Sequence, residues 1–209
     1  MAVITTYTSL LTAISDELAR SDLTAYLPNF VQSWEEDFLR DPKNFGRWME
    51  SSLSTAIASS VIAVPSGYLS MKYAYVNGSP STPLVRVSLD QLYGRYPRGS
   101  DTGLPVWYAR DNTNFVFGPA PDSTYTIKGV YWAKPTVLRS FASDAAAHWI
   151  IVNAPDLALY GSLIHSAPFL RNDSRLQMWQ SLYSMQLQSY QRTQKHEETT
   201  GSPSQEVLA

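Results

Sequence analysis

Few side chains in this sequence are of a kind and spacing that do chemistry. Three histidines, His148, His165 and His196, stand far apart, and there is no cysteine. A tightly bound metal needs several imidazole, thiolate or carboxylate donors converging on one point. No His-x-x-x-His or His-Glu-x-x-His spacing occurs. The lack of cysteine excludes disulfides, thiolate zinc sites and a thiol nucleophile, and it fits a reducing compartment. His165 would serve as the base of a Ser–His–Asp triad only beside an activated serine, and no G-x-S-x-G turn supplies one. Helix packing or an interface is its plainer use. Carboxylates stand three in a row once, at Glu35-Glu36-Asp37. Successive helical residues point about 100° apart, so these three read as a solvated helix face. Phosphate-cradling glycine loops of the G-x-G-x-x-G or Walker type are missing. Glycoside hydrolysis needs two facing carboxyl groups. Asp90, Asp101, Asp111 and Asp122 fall in or near turns of the middle of the chain, so a cell-wall glycan-binding or hydrolytic module is a second reading. No catalytic, cofactor-binding or metal-ligating residue is assigned.

Two features read as contacts instead. The loop Gly94–Gly103 holds Arg95, Arg98 and three glycines. It could touch a partner or a phosphate backbone, although such loops are more often simply mobile. The thirteen tyrosines and six tryptophans suit a core or subunit contacts.

Composition narrows the class. At 209 residues the chain is long enough for a sizeable core. Charged residues are 16%, against about 25% in ordinary soluble domains. That suits a surface partly covered by partners, or one rich in Ser, Thr, Asn and Gln. A net charge of −2 points to neither sequence-specific DNA binding nor an anionic membrane. The N-terminus lacks the basic and apolar regions of a signal peptide. The apolar run around Thr55–Val64 is too short to span a bilayer, which takes about 20 residues.

The elements follow from periodicity. Thr8 or Ser9 caps a first helix through Arg20, with Leu10, Leu11, Ile14 and Leu18 as its apolar face and Asp16–Arg20 as a surface pair. A second helix spans Pro28 to Arg40, with Phe30, Val31, Trp34, Phe38 and Leu39 inward, Glu36–Arg40 paired, and Asp41-Pro42 as its stop. From Met49 the pattern changes to short alternating runs. Candidate strands are 60–65, 68–76, 84–88, 106–111, 114–119 and 125–133, with turns at Asn77-Gly78 and Asn112–Asn114 and one helical turn at Asp90–Tyr93. Asn153, Pro155 and Asp156 begin a further helix that stops at Pro168. Asn172-Asp173-Ser174 begin the last, with Leu176, Trp179, Leu182, Tyr183, Gln186 and Tyr190 on one face. His196–Ala209 is polar and aperiodic and reads as a flexible tail. The fold class is α+β: a helical bundle of N-terminal (1–48) and C-terminal (148–195) helices, an inserted antiparallel β lobe (49–147), and the tail (196–209).

One long constellation goes further. Trp149, Pro155-Asp156-Leu157, Leu159-Tyr160-Gly161, Leu163, Ala167-Pro168-Phe169-Leu170, Asp173, Arg175 and Trp179 occur in that order. This resembles the C-terminal signature of the head-to-tail adaptor (connector, head-completion) proteins of tailed bacteriophages. Residues 63–69, AVPSGYL, and 117–122, FGPAPD, are similar to that family's turn between its first strands and to its last hairpin. The resemblance covers about residues 7–190 and marks Pro155, Asp156, Tyr160, Gly161, Pro168, Asp173, Arg175 and Trp179 as signature positions with structural roles. It implies a structural virion protein of the neck, assembled in the host cytoplasm; the missing cysteines, paired histidines and nucleophile motif lead to the expectation of no enzymatic activity, metal or cofactor, and the short apolar run to that of no membrane partner. The resemblance further implies about twelve copies in a closed ring beneath the portal protein, a cyclic homo-oligomer. Such a ring extends the channel through which genomic DNA passes non-specifically, completes the head and docks a tail or nozzle protein. The C-terminal segment of such proteins commonly orders on the portal. Here Gln205, Glu206, Val207 and Leu208 are the expected portal-binding residues, because Val207 and Leu208 are the tail's only sizeable apolar side chains and an extended segment can seat them in a groove.

Overall fold

The first helix starts earlier than its Thr8-Ser9 pair suggests. In α1 (Tyr7–Leu18) the cap is Thr6: the Ser9 N–H donates to Thr6 Oγ1 (3.0 Å) and the Thr6 N–H donates to Ser9 Oγ (2.9 Å). This reciprocal box satisfies donors that a helix start leaves without partners. Ala19, with φ 52°, ends the helix in the left-handed region. Arg20 therefore lies outside it, and its Nε donates to Asp22 (2.9 Å) in place of the expected pairing with Asp16. The computed structural model describes residues 3–97, 101–141, 148–170 and 173–199. Among these the fold is mixed α+β, with six α-helices and two four-stranded sheets. The chain divides into two compact units, Met1–Trp48 with Thr136–Ala209, and Met49–Pro135.

In the first unit, α2 (Leu27–Arg40) places Pro28 in its first turn and buries Leu27, Phe30, Val31, Trp34 and Phe38. The expected Glu36–Arg40 pair is not formed: Arg40 bonds Asp37 (2.8 Å), and Glu36 accepts from Gln32 (3.0 Å). Glu35, read from sequence as part of a solvated face, is buried, and its Oε1 accepts from the Leu138 N–H (3.0 Å). The carboxylate holds a backbone turn inside the fold, where an unmade hydrogen bond would be costly. Asn153 is not the start of a helix. It ends α4 (Trp149–Asn153), and its side-chain amide donates to the Trp149 carbonyl (2.9 Å). Ala154 then occupies the N-cap of α5 (Pro155–His165), whose chain passes into a 3-10 turn at Ala167–Phe169. Helix α5 buries Leu157, Ala158, Leu159, Gly161, Ser162 and Leu163 and packs against α1, α2, α4 and α6 (Leu176–Thr199). A helix apolar around most of its girth belongs in the middle of a core. The last helix runs past the expected boundary, so His196–Thr199 are helical and not the start of the tail.

The second unit consists of two sheets. One has the order β1 (Glu50–Ile57), β8 (Tyr125–Ala133), β3 (Tyr68–Asn77), β4 (Thr82–Pro83). The other has the order β2 (Val61–Ala63), β7 (Asn114–Gly118), β6 (Trp107–Asp111), β5 (Val85–Arg86). Every pairing is antiparallel except β5–β6, which is parallel and corrects the expectation of a purely antiparallel arrangement. Ile57, Val76, Ile127 and Tyr131 of the first sheet share a core with Tyr108, Phe115 and Phe117 of the second. Strand alternation sends Ala109 and Val116 to the opposite face, where Leu92 of α3 (Leu89–Arg95) covers them.

Candidate interaction surface

The signature residues of the last third are spent on internal fastening. The Arg175 guanidinium reaches both carboxylate oxygens of Asp173 (2.6 Å from Nη2) and donates to the backbone carbonyls of Glu17 and Leu18. Those carbonyls are at the C-terminal end of α1, where a helix leaves acceptors without partners and its dipole favours a cation. The same guanidinium lies over the ring of Trp179, 5.0 Å from its centre, and Trp179 is fully buried. These bonds hold the Asp173 carboxyl at about 2, well below its ordinary value. Gly161 lies against Trp34 so closely that a Cβ would overlap the indole. The Trp34 Nε1–H donates to Tyr183 Oη (3.2 Å), which joins α2 to α6 beside α5. Pro155 sits in the first turn of α5 with Asp156, the acid that suits its positive end. Tyr160 is partly buried on the same helix, and burial, then Asp156 and Glu17, raise its hydroxyl pKa. Pro168 shapes the turn that carries Phe169 to the rings of Tyr26 (5.2 Å) and Phe30 (5.1 Å).

A second fastening was not foreseen. Trp48 stacks on Trp149 (5.2 Å, 4° between planes), and its Nε1–H donates to Tyr190 Oη (2.9 Å), which donates to the Asn44 carbonyl (2.8 Å). Burial pushes the Tyr190 hydroxyl up to about 12. Gln191 donates to Asn44 Oδ1 (2.8 Å), and the buried Gln194 accepts from the Arg47 N–H (3.2 Å). Tyr190, by its helical spacing, and Trp149, as the first residue of the constellation, carried a sequence signal for this cluster; Trp48, Asn44, Gln191 and Gln194 carried none.

The chemistry-bearing residues do not assemble. His148 is buried, accepts from the Ile150 N–H (3.2 Å), and is held at about 4 by desolvation. His165 faces Asp37 (3.3 Å), and His196 lies on α6. Asp122 accepts from Tyr125 Oη (2.6 Å), Asp90 lies in the first turn of α3, and Asp111 ends β6. Among the described residues no group of three or more His, Asp or Glu could hold a metal ion. None of their helices is long and apolar enough to cross a membrane.

Compared with known proteins, the sequence matches the SU10 adaptor protein family over residues 5–205. The chain belongs to that family. It is a family of structural phage head–tail adaptors. No curated protein matches the sequence.

The adaptor's exposed surfaces are therefore where partners are to be sought. Arg95 is not in an open loop: it closes α3, with its guanidinium over the Tyr96 ring (6.0 Å). Arg98 lies outside the described residues, as do Gln205, Glu206, Val207 and Leu208. Beside α3, an apolar groove of about 600 Å³ is lined by Val61, Leu92, Tyr93, Tyr96, Val116 and Phe117. On α6 of the adaptor, Met178 and Met185 are 50% and 58% exposed. No charged residue occurs from Leu176 to Gln191. A solvated helix surface ordinarily carries charges on its polar face, so this one has the composition of a covered surface.

Proposed function

We propose that this chain is the repeating subunit of a ring between portal and tail, which extends the DNA channel, completes the packaged head and docks the tail or nozzle protein. The observation that carries this reading is the family match across nearly the whole chain. Family membership supports association with portal and tail components. The uncharged outer face of α6 supports a covered, oligomeric state. In this reading the helical unit is a bundle completed from both ends of the chain, and the sheet unit is the β lobe inserted into it. No catalytic step is part of it. About twelve copies would close the ring. The subunit waits as a monomer until the portal nucleates assembly, because a ring closed early would obstruct orderly construction. Residues Gln205, Glu206, Val207 and Leu208 bind the portal as an extended segment.

Deleting the gene tests this. The expected particles contain packaged DNA yet leak it or fail to join tails. Intact, tailed, infectious particles would rule the connector role out. Removing residues 200–209 tests the portal segment: the truncated protein should melt as before but attach more weakly to the portal, and unchanged affinity would refute that role.

A further inference from the structure

The outermost strand of the second sheet turns backbone groups outward beside the apolar groove. Strand β2 has β7 on one side and no strand on the other. The Phe117 N–H donates to the Ser60 carbonyl (2.8 Å), and the Val64 N–H to the Thr113 carbonyl (2.8 Å). Residues 60, 62 and 64 thus point their backbone groups at β7, and Val61 and Ala63 between them point theirs away. The Ser59 hydroxyl donates to the Val61 carbonyl (3.1 Å). Among the described residues, no hydrogen bond is made to the Val61 N–H or to the Ala63 N–H and carbonyl.

The side chains along this edge are apolar. Ile62 packs into the core between the sheets, so alternation puts Val61 and Ala63 on the outer face. Val61 pairs there with Val116 and is 42% exposed. Leu92 and Tyr93 of α3, with Tyr96 just beyond it, form the opposite wall of the groove. That wall is held in place. Ser88 and Gln91 box the start of α3, and Tyr96 meets Trp107 edge-on (5.8 Å). Gly118, where a Cβ would collide with Tyr96, lets that ring lie on the sheet. None of the described residues lining the groove is charged.

An open strand edge beside an apolar groove suits an extended peptide, whose backbone continues the ladder while alternate side chains fill the groove. A helix spends its backbone groups internally and leaves the edge unmet. A charged segment would carry unpaired charge into an uncharged groove. A connector between portal and tail needs two distinct contacts. In the reading above the portal takes the segment after Thr199, and this groove lies in the other unit of the chain. We infer that the tail or nozzle protein docks here: an extended, uncharged segment of it pairs with β2 as a fifth strand of the second sheet, and its apolar side chains lie between Val61 and Tyr93. This inference rests on the connector reading and names the surface that would receive the tail.

Hydrogen exchange of the full-length protein, read by mass spectrometry of the peptide spanning residues 58–66, tests this in three states: free, on tail-less DNA-filled heads, and in tailed particles. The Val61 and Ala63 amides should exchange rapidly in the first two and about 100-fold more slowly in the third. Independently, Val61→Asp places a charge in the groove, and Ala63→Pro removes an outward N–H while keeping the ladder to β7. Each variant should keep its thermal midpoint and still assemble on heads, but lower the yield of tailed particles by about tenfold or more; Val61→Ile should not. The exchange measurement needs no substitution, so it decides the matter even where a variant fails to fold. Slow exchange already present on tail-less heads would put the portal or a second copy on β2. Slow exchange already present in the free protein would put the chain's own segment there. Either result overturns the inference and leaves the connector reading standing, as do unchanged exchange in tailed particles and folded variants that join tails as well as the wild type. If tailed particles form without the protein, the connector reading falls and the inference with it.

Discussion

At the scale of single residues, Arg175 joins parts of the sequence 157 positions apart, since Nη2 reaches the Leu18 carbonyl and Nη1 that of Glu17. Lysine keeps the charge but not the planar fork that serves Asp173 and two carbonyls at once. Arg175→Lys should therefore lower stability by roughly 1–3 kcal/mol in urea unfolding. Trp179→Ala removes a fully buried indole and should cost roughly 3–5 kcal/mol; a loss below about 1 kcal/mol would mean that the faces of α6 are wrongly described. Gly161→Ala drives a methyl group into the Trp34 ring, and overpacking of this kind costs roughly 1–3 kcal/mol. His148 provides a pH signature. Its folded-state pKa of about 4 lies below the ordinary 6.5, so the unfolded chain takes up the proton first as pH falls. Stability is unaffected by this group above about pH 6.5, declines between about pH 6.5 and 4 by up to ~3 kcal/mol, and levels off below. His148→Gln should flatten that part of a stability–pH curve.

At the scale of elements, the last helix depends on its second half. Tyr190, Gln191 and Gln194 hold it to Asn44, Arg47 and Trp48. Ending the chain after Thr199 should leave the thermal midpoint unchanged. Ending it after Gln188 should remove the buried Tyr190 contacts and cost roughly 3–5 kcal/mol, read by calorimetry. Which elements were legible follows from local pattern. The spacing of Phe30, Trp34 and Phe38 gave α2 nearly to the residue, and alternation marked β3, β7 and β8. Strand β1 was hidden because Leu53 and Ile57 are the only buried side chains in a serine-rich run. The parallel β5–β6 pairing was invisible because the relative direction of two paired strands depends on the connection between them and not on the side-chain pattern of either. The burial of Glu35 and Gln194 was missed for a related reason: a polar residue is buried only when a distant backbone group comes to meet it. Among the signature residues, Asp173, Arg175 and Trp179 were recognisable as a set, but the carbonyls of α1 that complete their contacts were not.

At the scale of the whole molecule, the two units are built from differently arranged stretches of chain. The sheet unit is one continuous segment, Met49–Pro135, whereas the helical unit joins Met1–Trp48 to Thr136–Ala209. Loop closure makes long-range pairings slow to form, and contiguous segments have the advantage. During synthesis, Leu10, Ile14, Trp34 and Phe38 leave the ribosome long before α5 and α6, the helices that share a core with them. For that interval the newborn chain carries a bare apolar surface followed by a contiguous segment whose core needs no later part of the chain. Pulse-labelled nascent chains should show protease resistance first across 49–135, with α1 and α2 remaining cleavable until translation has passed Tyr190. The fasteners that tie the two ends together thus also set the moment at which a polypeptide in the making ceases to be a client for chaperones.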